Sequence, residues 1–131
     1  MSVHDKELPQ VNTQLPGPAS TALFERYEHL AASAHGVNYI DTADNYSKGG
    51  SETMVGQLLK GQRHDWVLAT KLGNAMSKRP NEGQYSRIWM LREVDASLRR
   101  LQTDHIDILY LHRDFPGINL EEPLRALDDL V

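Results

Sequence analysis

Three short β-favouring runs, set apart by stretches with helical periodicity, place the tightest limit on what this chain can become. Val37-Asn38-Tyr39-Ile40-Asp41, Trp66-Val67-Leu68-Ala69-Thr70 and Ile106-Asp107-Ile108-Leu109-Tyr110-Leu111 begin 29 and 40 residues apart. Each interval suits a strand followed by a crossover helix. The middle run has no polar alternation, the mark of a strand covered on both faces in a parallel sheet.

Helical spacing fills the gaps. Leu23, Tyr27, Leu30 and Ala34 recur every three or four residues, with Gly36 as a C-terminal stop. Ser51 is the expected N-cap of the next helix, with Glu52 in its first turn, a stripe of Val55, Leu58 and Leu59, and Gly61 at its end. Ser86 caps a longer helix whose expected face is Ile88, Leu91, Val94, Leu98 and Leu101. Asn119 and Glu122 have capping-box spacing before a last helix with Leu124, Leu127 and Leu130, and Pro123 is tolerated in its first turn. The order αβαβαβα predicts an α/β fold with a parallel sheet. Residues 1–19 carry Pro9, Pro16 and Pro18 without a clean apolar period and are expected to be irregular, with the folded unit over 20–131. Residues 72–86 read as a long loop, a common carrier of function.

Composition excludes several classes. A net charge of −4 gives no basic face for nucleic acid, and zero cysteines remove disulfides, thiol catalysis and thiolate metal sites. No apolar run approaches the ~20 residues of a membrane span, and the first twenty residues lack the apolar middle of a secretory signal. The expectation is a cytoplasmic protein with no nucleic-acid or membrane partner.

In parallel α/β folds, function collects at the carboxyl ends of the strands. Asp41, Lys71 and His112 stand where the three runs stop, and Tyr46 lies on the loop after the first. An Asp before Thr is by itself most simply a turn residue, and a single His after a strand a structural one; their joint placement carries the hypothesis. The chemistry is coherent. A phenol has a reference pKa of about 10, and a neighbouring ammonium favours its ionised form. A carboxylate keeps that lysine charged and aimed. An imidazole can orient a carbonyl oxygen. Together they deliver a proton to a carbonyl, and a hydride would have to come from a cofactor.

The run Gly36-Val37-Asn38-Tyr39-Ile40-Asp41-Thr42-Ala43-Asp44-Asn45-Tyr46, followed by Gly50-Ser51-Glu52 and Gly56, resembles the first signature of the aldo-keto reductases. Ala69-Thr70-Lys71 resembles the family's lysine strand, and Glu93 to His112 its second signature. Ser86-Arg87 and the Asn81 loop are similar to the branch that includes potassium-channel β-subunit-like reductases. The resemblance runs from about residue 34 to the end. It implies NADP(H)-dependent reduction of a small carbonyl substrate on a TIM barrel. By resemblance, Tyr46 is the general acid, Lys71 and Asp41 tune it, Asp41 lies at the nicotinamide end, and His112 places the carbonyl. No metal is implied.

A complete (β/α)8 barrel takes ~250 residues. With 131 residues and three strands, the expected fold is roughly the first half of such a barrel. Most of the family's nucleotide-binding loops fall in the other half. The chain is expected to be poorly active alone and to self-associate through open sheet edges. The alternative is a non-catalytic fragment or interaction module that keeps a reductase fold.

Other readings are weaker. Gly49-Gly50-Ser51 lacks P-loop spacing and reads as a turn into a helix. Asp41, Asp44, His112 and Asp114 suit a metal-dependent hydrolase poorly, because Lys71 would be an awkward neighbour for a dication. Arg99 and Arg100 read as a solvated helix face, and Trp66 and Trp89 as packing residues.

Overall fold

The computed structural model describes residues 36–131. The irregular segment expected over 1–19 and the helix expected from Leu23 to Ala34 lie outside those residues. The described elements are β1 (Tyr39–Asp41), α1 (Gly50–Leu58), β2 (Val67–Leu72), α2 (Arg87–Leu101), β3 (Ile108–Leu111) and α3 (Glu121–Asp128), with 3-10 turns at Tyr46–Gly49 and Arg63–Asp65. The strands form one parallel sheet in the order β1-β2-β3. β2 is central, and Leu68, Ala69, Thr70 and Leu72 are buried. This is what its unbroken apolar character predicts.

The strand boundaries differ from expectation for identifiable reasons. β3 begins at Ile108 because the Asp107 side chain occupies the ladder before it. The Leu68 amide donates to Asp107 Oδ2 at 2.8 Å, and the Asp107 amide donates to the Leu68 carbonyl at 3.0 Å. Arg63 then ties this end of the sheet, donating to Asp107 Oδ2 and to the Trp66 and His105 carbonyls. β2 runs on to Leu72, so Lys71 lies within the strand rather than after it.

Two apolar clusters cover one face of the sheet. Leu59, Trp66, Leu68 and Leu101 form one; Leu72, Tyr85, Met90, Val94 and Ala126 form the other. The helix faces are rotated from those expected. On α2 the buried positions are Trp89, Met90, Glu93, Val94, Ser97 and Leu101, whereas Ile88 is exposed. On α3 Pro123 and Ala126 are buried and Leu124 is exposed. Apolar periodicity misplaced the α2 face because part of it is polar: Glu93 and Ser97 are buried where Arg100 satisfies them.

Caps differ too. α1 is entered from Gly49, whose φ of +88° belongs to the left-handed region, and Ser51 instead pairs its hydroxyl with that of Thr42 at 2.8 Å. Ser86 takes the N-cap position of α2 with extended backbone but makes no side-chain cap bond. Before α3, Asn119 Oδ1 accepts from the Glu121 amide, while Glu122 reaches across to the Arg87 amide at the start of α2, not back to Asn119. The capping box therefore becomes a tie between two helices.

At Gly56, α1 lies directly against the backbone at the end of α2. A Cβ there would stand 2.5 Å from the Leu101 carbonyl carbon and oxygen. Two effects oppose each other in Gly56→Ala. Helix propensity favours alanine by about 1 kcal/mol. Overpacking against rigid backbone costs ~1–3 kcal/mol. The clash should win, and urea denaturation should show Gly56→Ala with a lower midpoint; a raised midpoint would mean that the helices separate freely.

Candidate functional site

Parallel pairing brings the carboxyl ends of all three strands to one edge, and two-residue alternation decides which face each side chain meets. The register pairs Asp41 with Ala69 and Lys71 with Tyr110. Counting by twos puts Tyr39, Asp41, Lys71 and Tyr110 on one face, and Ile40, Leu68, Thr70, Leu72 and Leu109 on the face covered by the helices. Asp41 ends β1, Lys71 is next to last in β2, and His112 follows β3 directly, its amide donating to the Leu72 carbonyl at 2.9 Å.

The four residues singled out in the sequence meet here. Lys71 Nζ donates to Asp41 Oδ2 at 2.6 Å and to the Thr42 carbonyl at 2.8 Å. The same ammonium lies 5.1 Å from the centroid of the Tyr46 ring. The Tyr46 and His112 rings meet edge-on, with centroids 5.7 Å apart at 82°. Tyr46 keeps 42% of its surface exposed. The Lys71–Asp41 pair is partly exposed, so it contributes at most about 1 kcal/mol to stability. Its consequence is placement: the lysine is held at two points beside the phenol.

His112 has its pKa lowered, first by burial, then by the charge of Lys71 and by Arg113, against an opposing pull from Asp41. Its Nδ1 is enclosed without a hydrogen-bond partner. Its surroundings therefore favour the neutral imidazole more than water does. Tyr85 secures the next residue, its hydroxyl donating to the Arg113 carbonyl and accepting from the Arg113 amide.

The loop carrying Tyr46 continues the ladder past β1. Thr42 and Asp44 amides donate to the Ala69 and Lys71 carbonyls, each at 3.0 Å. Beyond Tyr46 the backbone is left-handed for three residues, with φ of 50° at Ser47, 54° at Lys48 and 88° at Gly49. The two non-glycine residues each bear a steric cost of about 1–2 kcal/mol.

Behind this loop lies a charged group that the apolar pattern did not reveal. Glu52 is fully buried; its Oε1 accepts from the Thr70 hydroxyl at 2.6 Å and its Oε2 from Arg100 Nε at 2.7 Å. Arg100 also donates to Glu93 and Ser97. The expectation of a solvated face holds for Arg99, which pairs with Asp95 at the surface, and fails for Arg100. The available signal was the helical spacing of Glu93, Ser97 and Arg100, which puts three polar residues on one stripe.

Asp44 adds a third carboxylate. It is 0% exposed, and neither oxygen completes a hydrogen bond. Burial first, then Glu93 and Glu52, push its pKa up to about 7, against opposing pulls from the Asn45 amide and Arg100. The folded form thus holds a proton that the unfolded chain has released. This contribution to stability is fully present below about pH 4 and is lost as pH rises through about 7. At ~1.4 kcal/mol per unit of displacement, ionised Asp44 costs the fold on the order of 4 kcal/mol. Asp44→Asn should flatten the fall in urea midpoint between pH 5 and pH 8; a fall as steep as in the parent would show that Asp44 is not the group losing the proton.

The family model described as "Aldo/keto reductase family" matches residues 19–131. An uncharacterized oxidoreductase, YqkF, of Bacillus subtilis is 41% identical over 98 residues, covering 72% of this chain and 32% of the relative. A putative voltage-gated potassium channel subunit beta of Schizosaccharomyces pombe is 37% identical over 100 residues, covering 73% of this chain and 29% of the relative. Among solved structures, an aldo-keto reductase from Klebsiella pneumoniae in complex with NADPH superposes with a TM-score of 0.69 at 36% identity, over 86% of this chain and 37% of that one. A holo-form aldo-keto reductase from Bacillus halodurans gives 0.71 at 37% identity, over 83% and 36%. The chain spans about a third of the length of these relatives.

Proposed function

The chain belongs to the aldo/keto reductase family, and from that membership we propose that it carries the proton-transfer part of an NADP(H)-dependent carbonyl reductase. The observation that carries the proposal is Lys71, fixed by Asp41 and the Thr42 carbonyl, beside a half-exposed Tyr46 ring that His112 meets edge-on. The residues present fit the reacting end of such a cofactor. Asp41, Lys71 and Tyr46 stand at the face of the sheet that, among the described residues, no helix covers, and the enclosed His112 Nδ1 lacks a protein partner. NADP(H), when bound, supplies the hydride.

The chain's own residues supply the rest. Tyr46 gives its phenolic proton to the carbonyl oxygen as that oxygen gains charge, so the alcohol leaves neutral and a phenolate remains. Lys71, with its charge beside the ring, stabilises that phenolate. Asp41 keeps Lys71 in place. His112 donates a hydrogen bond that orients the carbonyl, and its lowered pKa favours the neutral form, which adds no second full positive charge beside Lys71.

Tyr46→Phe keeps the ring and removes the donor. In the longest form of the protein that oxidises NADPH with a simple aldehyde, it should lower turnover by ~10²–10⁴-fold while NADPH binding, followed by fluorescence, stays nearly unchanged. Equal turnover in the variant would assign the proton to another group.

Within the described residues, β1 and β3 each pair on one side only. Unpaired strand edges invite association. The 14.8 kDa chain should therefore sediment as an oligomer and bind NADPH weakly. A monomer that binds NADPH at micromolar concentration and reduces an aldehyde would show that this segment suffices by itself.

A further inference from the structure

The left-handed turn after Tyr46 needs support, and one side chain lies directly under it. Gly49 ends the turn, and a Cβ there would meet Arg100 Cδ at 2.6 Å and Nε at 3.0 Å. The stem of Arg100 is therefore packed against the turn's backbone. Its guanidinium is held by Glu52 from α1 and by Glu93 and Ser97 from α2. Glu52 in turn accepts from Thr70, the residue before Lys71 in β2. Thr53 adds a further tie, its hydroxyl donating to the Gly49 carbonyl at 3.0 Å. A continuous path thus joins the strand of Lys71 to the turn of Tyr46.

We propose that Arg100 is a positioning residue for Tyr46, acting through Gly49 and clamped by Glu52 and Glu93. It touches neither substrate nor the phenol. Its role is to keep the turn from relaxing out of the left-handed region, which would swing the ring away from Lys71 and His112. The clamp matters as much as the stem, because an arginine on a flexible tether would not resist that relaxation. The planar guanidinium engages two carboxylates at once through separate N–H groups, where a lysine ammonium is a single point charge. This inference deepens the proposed function and rests on it only for the meaning of Tyr46, not for the geometry.

The test reads the site without requiring turnover. Nuclear Overhauser cross-peaks between the Tyr46 and His112 rings report their contact in the whole chain, and circular dichroism reports helix content separately. In Arg100→Ala the cross-peak should be lost with helix content retained. Arg100→Lys should recover part of it, and the surface control Arg99→Ala should leave it unchanged. An unchanged cross-peak in folded Arg100→Ala overturns the proposal, as does equal loss in Arg99→Ala. Removing arginine alone strands two buried carboxylates, so Arg100→Ala could fail to fold. In that case Glu52→Gln/Glu93→Gln/Arg100→Met, which leaves no charge of the clamp, decides the matter: loss of the cross-peak supports the clamp and retention overturns it. Full turnover in Tyr46→Phe would remove the reductase mechanism and leave the positioning result standing, so the two failures are distinct.

Discussion

The buried carboxylate of Glu52 is the contact on which the rest of this arrangement depends. It stands fully enclosed on α1 and accepts from Thr70 on β2 and from Arg100 on α2. A lone ionised carboxylate in that position would be costly; paired and hydrogen-bonded, it is tolerated. Its partners therefore have little freedom. Thr70 fixes one end to the strand that carries Lys71, and Arg100 fixes the other beneath the turn that carries Tyr46. Gly56 allows the close helix approach that brings α1 and α2 into range.

The surplus of acid in this group has a second consequence. Glu52 and Glu93 hold the Arg100 guanidinium, and their charges also act on the buried Asp44. Two carboxylates can be matched to Arg100, and Asp44 is the one without hydrogen bonds. It keeps its proton to about pH 7. The loop between β1 and the Tyr46 turn thus contains a group whose ionisation is coupled to folding, next to a strained backbone. Strain of this sort persists only where surrounding structure enforces it. The ladder bonds of Thr42 and Asp44 on one side and Arg100 on the other provide that enforcement.

The three described strands, their helices and the likeness to solved reductases identify the fold as part of a (β/α)8 barrel, its sheet open among the described residues. The face that no described helix covers carries Asp41 and Lys71, and the helix-covered face carries Thr70 and Leu72. Adjacent residues of β2 therefore serve opposite sides of the same arrangement: Lys71 faces the site and Thr70 faces the support. A strand's two-residue alternation makes this division possible in a single short run.

By itself, the sequence determined the order of the described elements from β1 on, the buried character of β2 and the four residues that meet at the strand ends. Those features follow from local periodicity and from the rule that parallel strands share one functional edge, so neighbouring residues suffice to read them. Tertiary structure decided the strand boundary at Asp107, the rotation of the α2 and α3 faces, and the burial of Arg100. Each of these depends on a partner far along the chain: Leu68 for Asp107, Glu52 for Arg100, Arg87 for Glu122. An apolar pattern counts a charged residue as solvent-facing. Only a folded neighbour of opposite charge, close enough to replace water, makes burying it tolerable.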